Sequence, residues 1–364
     1  MRSIYIAATG QHAGKTTMAL GLIPALQSRG YRCVYSKPVG QRFIDHDGHR
    51  ADEDAWLCRE VFGIDVDAEM MSPVTIPRGY VAEYLANPHP EHLQKKIMDA
   101  AAHLRERSDL MVIEGTGHAG VGSCLDLSNA RVAKMLDAAA VMVVPGGVGR
   151  CLDEVALSQA LFNAEGVELA GVVANKVYPD KYDKIGKSLE IGFKRLGTRL
   201  LGAIPFEEDL TFPTVRQIRD ELDARLLCGE GALARIAKRT LIAAMTPQHM
   251  LRYLHEGSLV ITPGDRIDNI LVAISTHMTE KEDPVNIAGI VLTGGFVPHP
   301  NIMPMLRHTG LPVLLCEEDT YTVSSKIFQQ VFKIVPGDTE KVVAARRFVQ
   351  KHVDLDALLE IVNE

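Results

Sequence analysis

Thr9-Gly10-Gln11-His12-Ala13-Gly14-Lys15-Thr16-Thr17 follows the apolar run Ser3-Ile4-Tyr5-Ile6-Ala7-Ala8 and precedes Ala19, Leu22, Ile23 and Leu26, which recur at helical spacing. A strand, a polar glycine turn and an amphipathic helix, in that order, are the parts of a phosphate-binding loop. Glycines let backbone N–H groups turn toward phosphate oxygens, and a helix N-terminus favours negative charge. Lys15 can reach the β and γ phosphates of ATP, and Thr16 can ligate magnesium. Gly10, Gln11, His12, Ala13, Gly14, Lys15, Thr16 and Thr17 are therefore expected to line a Mg·ATP site. Thr9 stands where the pattern G-x-x-x-x-G-K-[ST] has its first glycine.

Outward from this loop, strand-like runs alternate with helical patterns, the rhythm of a largely parallel sheet. Pro24 should kink the first helix, and Gly30 can cap its end. Further strands are expected at Arg32 to Ser36, Leu110 to Ile113, Val141 to Val144, Ala170 to Val173 and Leu200 to Ile204. Ligands of open α/β sheets sit beyond the carboxyl ends of the strands, so Lys37, Glu114, Gly146 and Asn175 should gather on one edge. The expected fold is an α/β P-loop NTPase with a mostly parallel, doubly wound sheet.

A triphosphate-bound metal needs hard oxygen ligands besides the loop threonine. Asp54, in Ala51-Asp52-Glu53-Asp54-Ala55, and Glu114, before Gly115-Thr116-Gly117, are the candidates to join Thr16, with Asp52 the rival of Asp54. His46 and His49 match no transition-metal spacing and read as part of a solvated loop. Lys37, between a β-branched, aromatic strand and Pro38, should project over the sheet edge toward the phosphates.

Near residue 210 the pattern changes. Thr211-Phe212-Pro213-Thr214 introduces a strand-rich section with Ser258 to Thr262 before Pro263-Gly264-Asp265-Arg266, and Ile287 to Leu292 before Thr293-Gly294-Gly295. Domains are accordingly expected at 1–212 and 213–364, the second a smaller α/β domain with a C-terminal helical extension. In that extension Leu355, Leu358, Leu359 and Val362 form one helical stripe, and Asp354 is its expected N-cap. Asp265-Arg266 reads as an internal ion pair. Thr293-Gly294-Gly295 reads equally as an anion nest or a tight turn.

The 364 residues carry a formal charge of −7, with no broad basic field for nucleic acid or anionic membrane. Six scattered cysteines without CxxC spacing suit a reducing cytoplasm, and no apolar run approaches membrane-spanning length. With a strand pattern beginning at Ser3, no signal peptide is expected.

The segments G-Q-H-A-G-K-T-T, S-K-P-V-G, D-E-D-A, I-E-G-T-G, P-G-G-V-G, V-V-A-N-K and L-G-A-I-P occur in the order found in dethiobiotin synthetase. Residues 1 to about 210 resemble that family and the wider group of ATP-dependent amide- and ring-forming enzymes that includes cobyrinic acid diamide synthase. The resemblance implies that Lys15, Thr16, Lys37, Asp54 and Glu114 hold Mg·ATP. It further implies that Asn175 reads adenine, with Pro205 of L-G-A-I-P beside the nucleotide, and that the chain is a homodimer. Residues 215 to 330 resemble the DRTGG domain. The two together resemble the front of long phosphate acetyltransferases, and the acetyl-transferring domain of those proteins is expected to be absent.

Departures from the family pattern concern the substrate side. Gln11-His12 replaces a threonine-glutamate pair, Gln41 replaces a serine, and Gly147-Val148 stands in place of a lysine. Dethiobiotin formation is therefore not expected. The first functional expectation is a nucleotide-responsive regulatory protein whose DRTGG domain binds a small molecule or its own copy. The alternative is an ATP-dependent carboxylate- or carbamate-amine ligase, in which Lys15 and Lys37 would stabilise charge on the transferred phosphoryl group.

Overall fold

Leu110, Met111, Val112 and Ile113 are all 0% exposed, so this strand lacks the alternation of a half-solvated one and needs cover on both faces. It belongs to a six-stranded sheet built from β1 (Arg2–Ala8), β2 (Cys33–Ser36), β3 (Leu110–Glu114), β4 (Ala139–Pro145), β5 (Leu169–Val177) and β6 (Leu200–Pro205). The order is β6-β5-β4-β1-β3-β2, with every pairing parallel. The chain fills one side of β1 with β2 and β3, then crosses to the other with β4. The loop after β1 thus lies at the point where strand order reverses, the usual place for a ligand in such sheets.

The computed structural model describes residues 2–46, 48–279, 285–330 and 332–363. It divides into Met1–Phe206 with Ile334–Glu364 as one unit, and Glu207–Lys333 as the other. In the first unit, α1 (Lys15–Gln27) starts directly at the loop lysine. The helix runs continuously through Pro24, where sequence suggested a kink. Gly30, at φ +91°, makes the left-handed turn beyond its end and donates its N–H to the Gln27 carbonyl. After β2, the antiparallel pair Phe43–His46 and His49–Asp52 turns the chain back, and α2 (Glu53–Phe62) follows. Asp52 caps α2 by accepting the Asp54 N–H at 3.0 Å, which fixes both aspartates at the helix start. Helix α3 (Gly149–Ala164) follows β4.

The second unit holds a five-stranded sheet of β7 (Arg225–Cys228), β8 (Arg239–Ile242), β9 (Ser258–Pro263), β10 (Gly289–Thr293) and β11 (Val313–Leu315). Its order is β7-β11-β10-β9-β8, parallel except for β7. Successive residues feed opposite cores. Leu259, Ile261, Val291 and Leu314 pack on one face with Val215, Ile218 and Val323. Val260, Ile290, Leu292 and Val313 pack on the other with Met250, Ile270 and Leu306. Helices α4 (Ile267–Met278) and α5 (Thr320–Gln329) supply part of that cover.

The C-terminal helices α6 (Thr339–His352) and α7 (Leu355–Asn363) belong to the first unit, whereas sequence grouped them with the second domain. Gly21 explains the difference. A Cβ there would lie 2.3 Å from Val349 Cγ2 and 2.6 Å from the Ala345 carbonyl oxygen, so α6 packs against α1 where only glycine fits. The same segment covers the edge of the first sheet. Val353 forms an antiparallel bridge with Gly202 of β6, and the Asp354 N–H donates to Leu201 O at 2.7 Å. Asp354 also caps α7, accepting the Ala357 N–H at 2.9 Å.

Candidate functional site

The loop between β1 and α1 is anchored at each end. Thr9 donates its N–H to Val143 O of β4 and its hydroxyl to Glu154 Oε2 of α3, at 3.3 and 2.7 Å. That second bond gives the threonine in the first glycine position a structural use. Arg150 hydrogen-bonds the other Glu154 oxygen at 2.6 Å, and together with Thr9 it lowers the acid's pKa against the opposing effect of burial. At the far end Gly14 has φ +104°, and a Cβ there would lie 2.1 Å from Asn175 Nδ2. Gly10, by contrast, has open space around it. Ala13 is fully buried, while Gln11 and His12 are exposed at the tip and Thr17 is half-buried.

Behind the loop sits a buried charged cluster. Lys15, 8% exposed, donates to Gly117 O at 3.0 Å, and the Thr16 hydroxyl donates to Glu114 Oε1 at 2.9 Å. Lys37 lies between Asp52 Oδ1 at 3.3 Å, Glu114 Oε1 at 3.4 Å and the carboxylate of Asp54. Burial by itself would lower the Lys37 pKa, but Glu114, Asp54 and Asp52 outweigh it and hold the ammonium well above its ordinary value. Lys37 is thus the counter-ion of the acids rather than a cation projecting freely over the edge. Within these four side chains, three carboxylates face one ammonium.

A partner of this cluster and an organiser of the adjoining loop carried no sequence signal. Tyr35 donates its hydroxyl to Glu114 Oε2 at 2.9 Å. Burial first, and then Glu114, raise its pKa well above the usual phenol range, so it remains a neutral donor. Asn129 orders the loop after β3. Its Oδ1 accepts from Tyr5 and from the Thr116 N–H, while its Nδ2 donates to the carbonyls of Thr116 and His118. Gly115 is needed there, because a Cβ would approach Asn129 Oδ1 to 2.5 Å.

The expected gathering of Lys37, Glu114, Gly146 and Asn175 takes the form of two local pairs joined by the loop. Lys37 meets Glu114, which meets Thr16. Gly146 donates its N–H to Asn175 O at 2.5 Å, and Asn175 Nδ2 donates to Ala13 O at 2.9 Å. Pro205 pairs with Val177, two residues beyond Asn175, at the end of β6. His49 lies 3.6 Å from Glu69, and the side chain of His46 is outside the described residues.

In the second unit, Arg266 pairs with Asp268, both of its bonds being 2.9 Å, rather than with Asp265 as sequence suggested. The side chain two positions on reaches the guanidinium from the first turn of α4. The glycines of Thr293-Gly294-Gly295 form a closed turn. Gly294 donates to Glu318 O and Gly295 to Cys316 O, at 2.8 and 2.9 Å, and Glu317 crowds the Cβ position of Gly295 at 2.4 Å. With both amides occupied and a carboxylate alongside, the anion-nest reading gives way to the turn.

For a magnesium ion on a bound triphosphate, Thr16 Oγ1 and the carboxylates of Glu114 and Asp54 are hard oxygen donors already in one cluster, and they suit that ion. Among the described residues no three His, Cys, Asp or Glu side chains form a ready-made cage. Magnesium commonly keeps water and phosphate oxygens for its remaining positions.

Comparison with known proteins agrees with this division. An AAA domain model matches residues 2–214, and a DRTGG domain model matches residues 217–330. The chain is 29% identical to phosphate acetyltransferase of Pseudomonas aeruginosa, covering 98% of this chain and 52% of that protein. It is 23% identical to phosphate acetyltransferase of Escherichia coli, with 98% and 52% covered. It thus spans about half the length of the curated relatives it matches. Among solved structures, MinD complexed with Mg-ADP from Pyrococcus horikoshii is similar at 16% identity and TM-score 0.36, covering 57% of this chain and 83% of that one. The CBS and DRTGG domains of Clostridium perfringens pyrophosphatase, complexed with diadenosine tetraphosphate, are similar at 19% identity and TM-score 0.28, covering 36% and 50%. With the glycine loop, the parallel sheet and a model match over more than half its length, the chain belongs to the AAA domain family, its P-loop domain followed by a DRTGG domain.

Proposed function

We propose that the first unit binds Mg·ATP and that this chain is a nucleotide-responsive regulatory protein, related to the region of phosphate acetyltransferases that it matches. The observation that carries the proposal is the joining of Thr16 to Glu114 and of Lys37 to Glu114 and Asp54, directly behind a glycine loop at the sheet's switch point. Lys15 would reach the phosphates, with Thr16, Asp54 and Glu114 holding the metal. Asn175 and Pro205 would take the base. Magnesium, when bound, would supply charge neutralisation between phosphate oxygens.

The ligase reading asks Lys37 to stabilise a transferred phosphoryl group. Its engagement with three carboxylates favours binding over transfer, since its charge is already committed. The six cysteines are all free, which supports a reducing, cytoplasmic setting, and no helix among the described residues is long and apolar enough to cross a membrane. A homodimer is the proposed assembly.

The test is to incubate the purified chain with Mg·ATP, bicarbonate and a panel of diamino and carboxylic acids. Phosphate release and light-scattering mass are followed together. A nucleotide-dependent change in mass without turnover supports regulation. Substrate-stimulated phosphate release would instead establish the ligase.

A further inference from the structure

For the amides of a phosphate loop to face an anion, the carbonyls of the same peptides must be held facing away. Two successive carbonyls are held in this way here. Ala13 O accepts from Asn175 Nδ2 at 2.9 Å, and His12 O accepts from Lys176 Nζ at 3.0 Å. The two donors are themselves set by the backbone. The Lys176 N–H donates to Asn175 Oδ1 at 2.9 Å, which fixes the orientation of the amide, and Gly146 holds Asn175 O.

His12 and Lys176 both adopt φ +59°, a left-handed conformation that non-glycine residues hold only when their surroundings enforce it. The strain falls on the two residues that meet. Lys176 is half-buried, and burial pulls its pKa below the ordinary lysine value. Among the described residues no carboxylate forms an ion pair with it, in contrast to Lys37. A partly desolvated ammonium whose partner is a neutral loop carbonyl leaves its charge available to an anion on that loop.

We infer that Lys176 is a positioning residue of the nucleotide site, holding the His12 carbonyl outward and adding a positive charge that draws polyphosphate to the loop. The inference rests on the nucleotide reading of the first unit. Lys176 is expected to act equally on ATP and ADP, because it holds the loop and does not select the γ phosphate.

Calorimetric titrations of Mg·ATP and Mg·ADP into wild type, Lys176→Met, Lys176→Arg and Lys15→Ala test it, each at two salt concentrations. Loss of one charge-assisted hydrogen bond predicts about tenfold weaker binding of both nucleotides by Lys176→Met, with a shallower salt dependence than wild type. Lys176→Arg should recover most of that loss and the salt slope. The nucleotide-free melting temperatures of Lys176→Met and wild type should coincide, which separates positioning from general destabilisation. Wild-type affinity and salt slope in Lys176→Met, while Lys15→Ala fails to bind, would overturn this inference alone. Failure of the wild type to bind either nucleotide would overturn the nucleotide reading and this inference with it.

Discussion

Both units end parallel strands in glycine turns, yet the two sheet edges differ in where they keep their charges. At the first, Lys15, Lys37, Asp52, Asp54 and Glu114 are all buried, and the side chains of Asn175 and Lys176 hydrogen-bond two of the loop carbonyls. At the second, Thr262, Asn269 and Thr293 are the fully buried polar residues, while Arg266 and Asp268 pair near the surface and the turn amides bond to carbonyls. Glycine turns after parallel strands thus occur in this chain with two different arrangements of charge. Buried ionised groups are costly, and the Mg·ATP proposed for the first edge would be a charged ligand that offsets part of that cost.

The sharpest way to break this contrast is to remove one cation from each edge. Lys37→Met strands three buried carboxylates and should destabilise the first unit by about 3–5 kcal/mol. Trp56, the single tryptophan, lies in α2 beside the cluster, so its fluorescence during urea unfolding reports that unit. Arg266→Met should change the stability of the second unit by less than about 1 kcal/mol, because its pair is partly exposed to solvent. Comparable losses at both sites would erase the distinction.

A smaller effect separates two glycines of one loop. Gly14→Ala meets both a left-handed backbone and the Asn175 amide, and should cost about 1–3 kcal/mol with a loss of nucleotide affinity. Gly10→Ala has room and should stay within about 0.5 kcal/mol of wild type. Thermal melting of the two variants, followed by ATP titration, distinguishes a geometric requirement from a generic preference for glycine.

The smallest expected effect comes from a surface pair of the first unit. Arg32 hydrogen-bonds Asp109 through its side chain and backbone and holds the acid's pKa at about 2. A depressed folded-state pKa gives stability that is present above the unfolded value of about 3.9 and lost as pH falls through about 2. Asp109→Asn should therefore melt slightly below wild type at neutral pH, with the gap closing in that acid window. A gap that persists at pH 2 would assign the effect to something other than ionisation.

The fold of the first unit was legible because β1, the loop and α1 each carry a strong local signal; Glu114 was a candidate to join Thr16 on a metal, and the two are hydrogen-bonded to each other. Asp54 and Lys37 stood out in the sequence as candidates, but not the way three acids enclose the lysine, which depends on the hairpin that returns Asp52 beside Lys37. Tyr35 and Asn129 were missed because one resembles an ordinary strand tyrosine and the other an ordinary helix-start asparagine. Lys176 had a faint signal in V-V-A-N-K, next to an asparagine already singled out. The assignment of α6 and α7 failed for a topological reason. Their partners, Gly21 and Gly202, lie more than a hundred residues earlier in the chain, and local periodicity carries no address.

Nucleotide binding at the buried-charge edge of the first unit, as proposed, is read by calorimetric titration of Mg·ATP into wild type, Lys15→Ala and Arg266→Ala. Loss of the loop lysine should weaken binding about a hundredfold or more, and loss of Arg266 should leave it within about twofold of wild type. Binding that survives Lys15→Ala but disappears in Arg266→Ala would rule out the first-unit site and move it to the second unit.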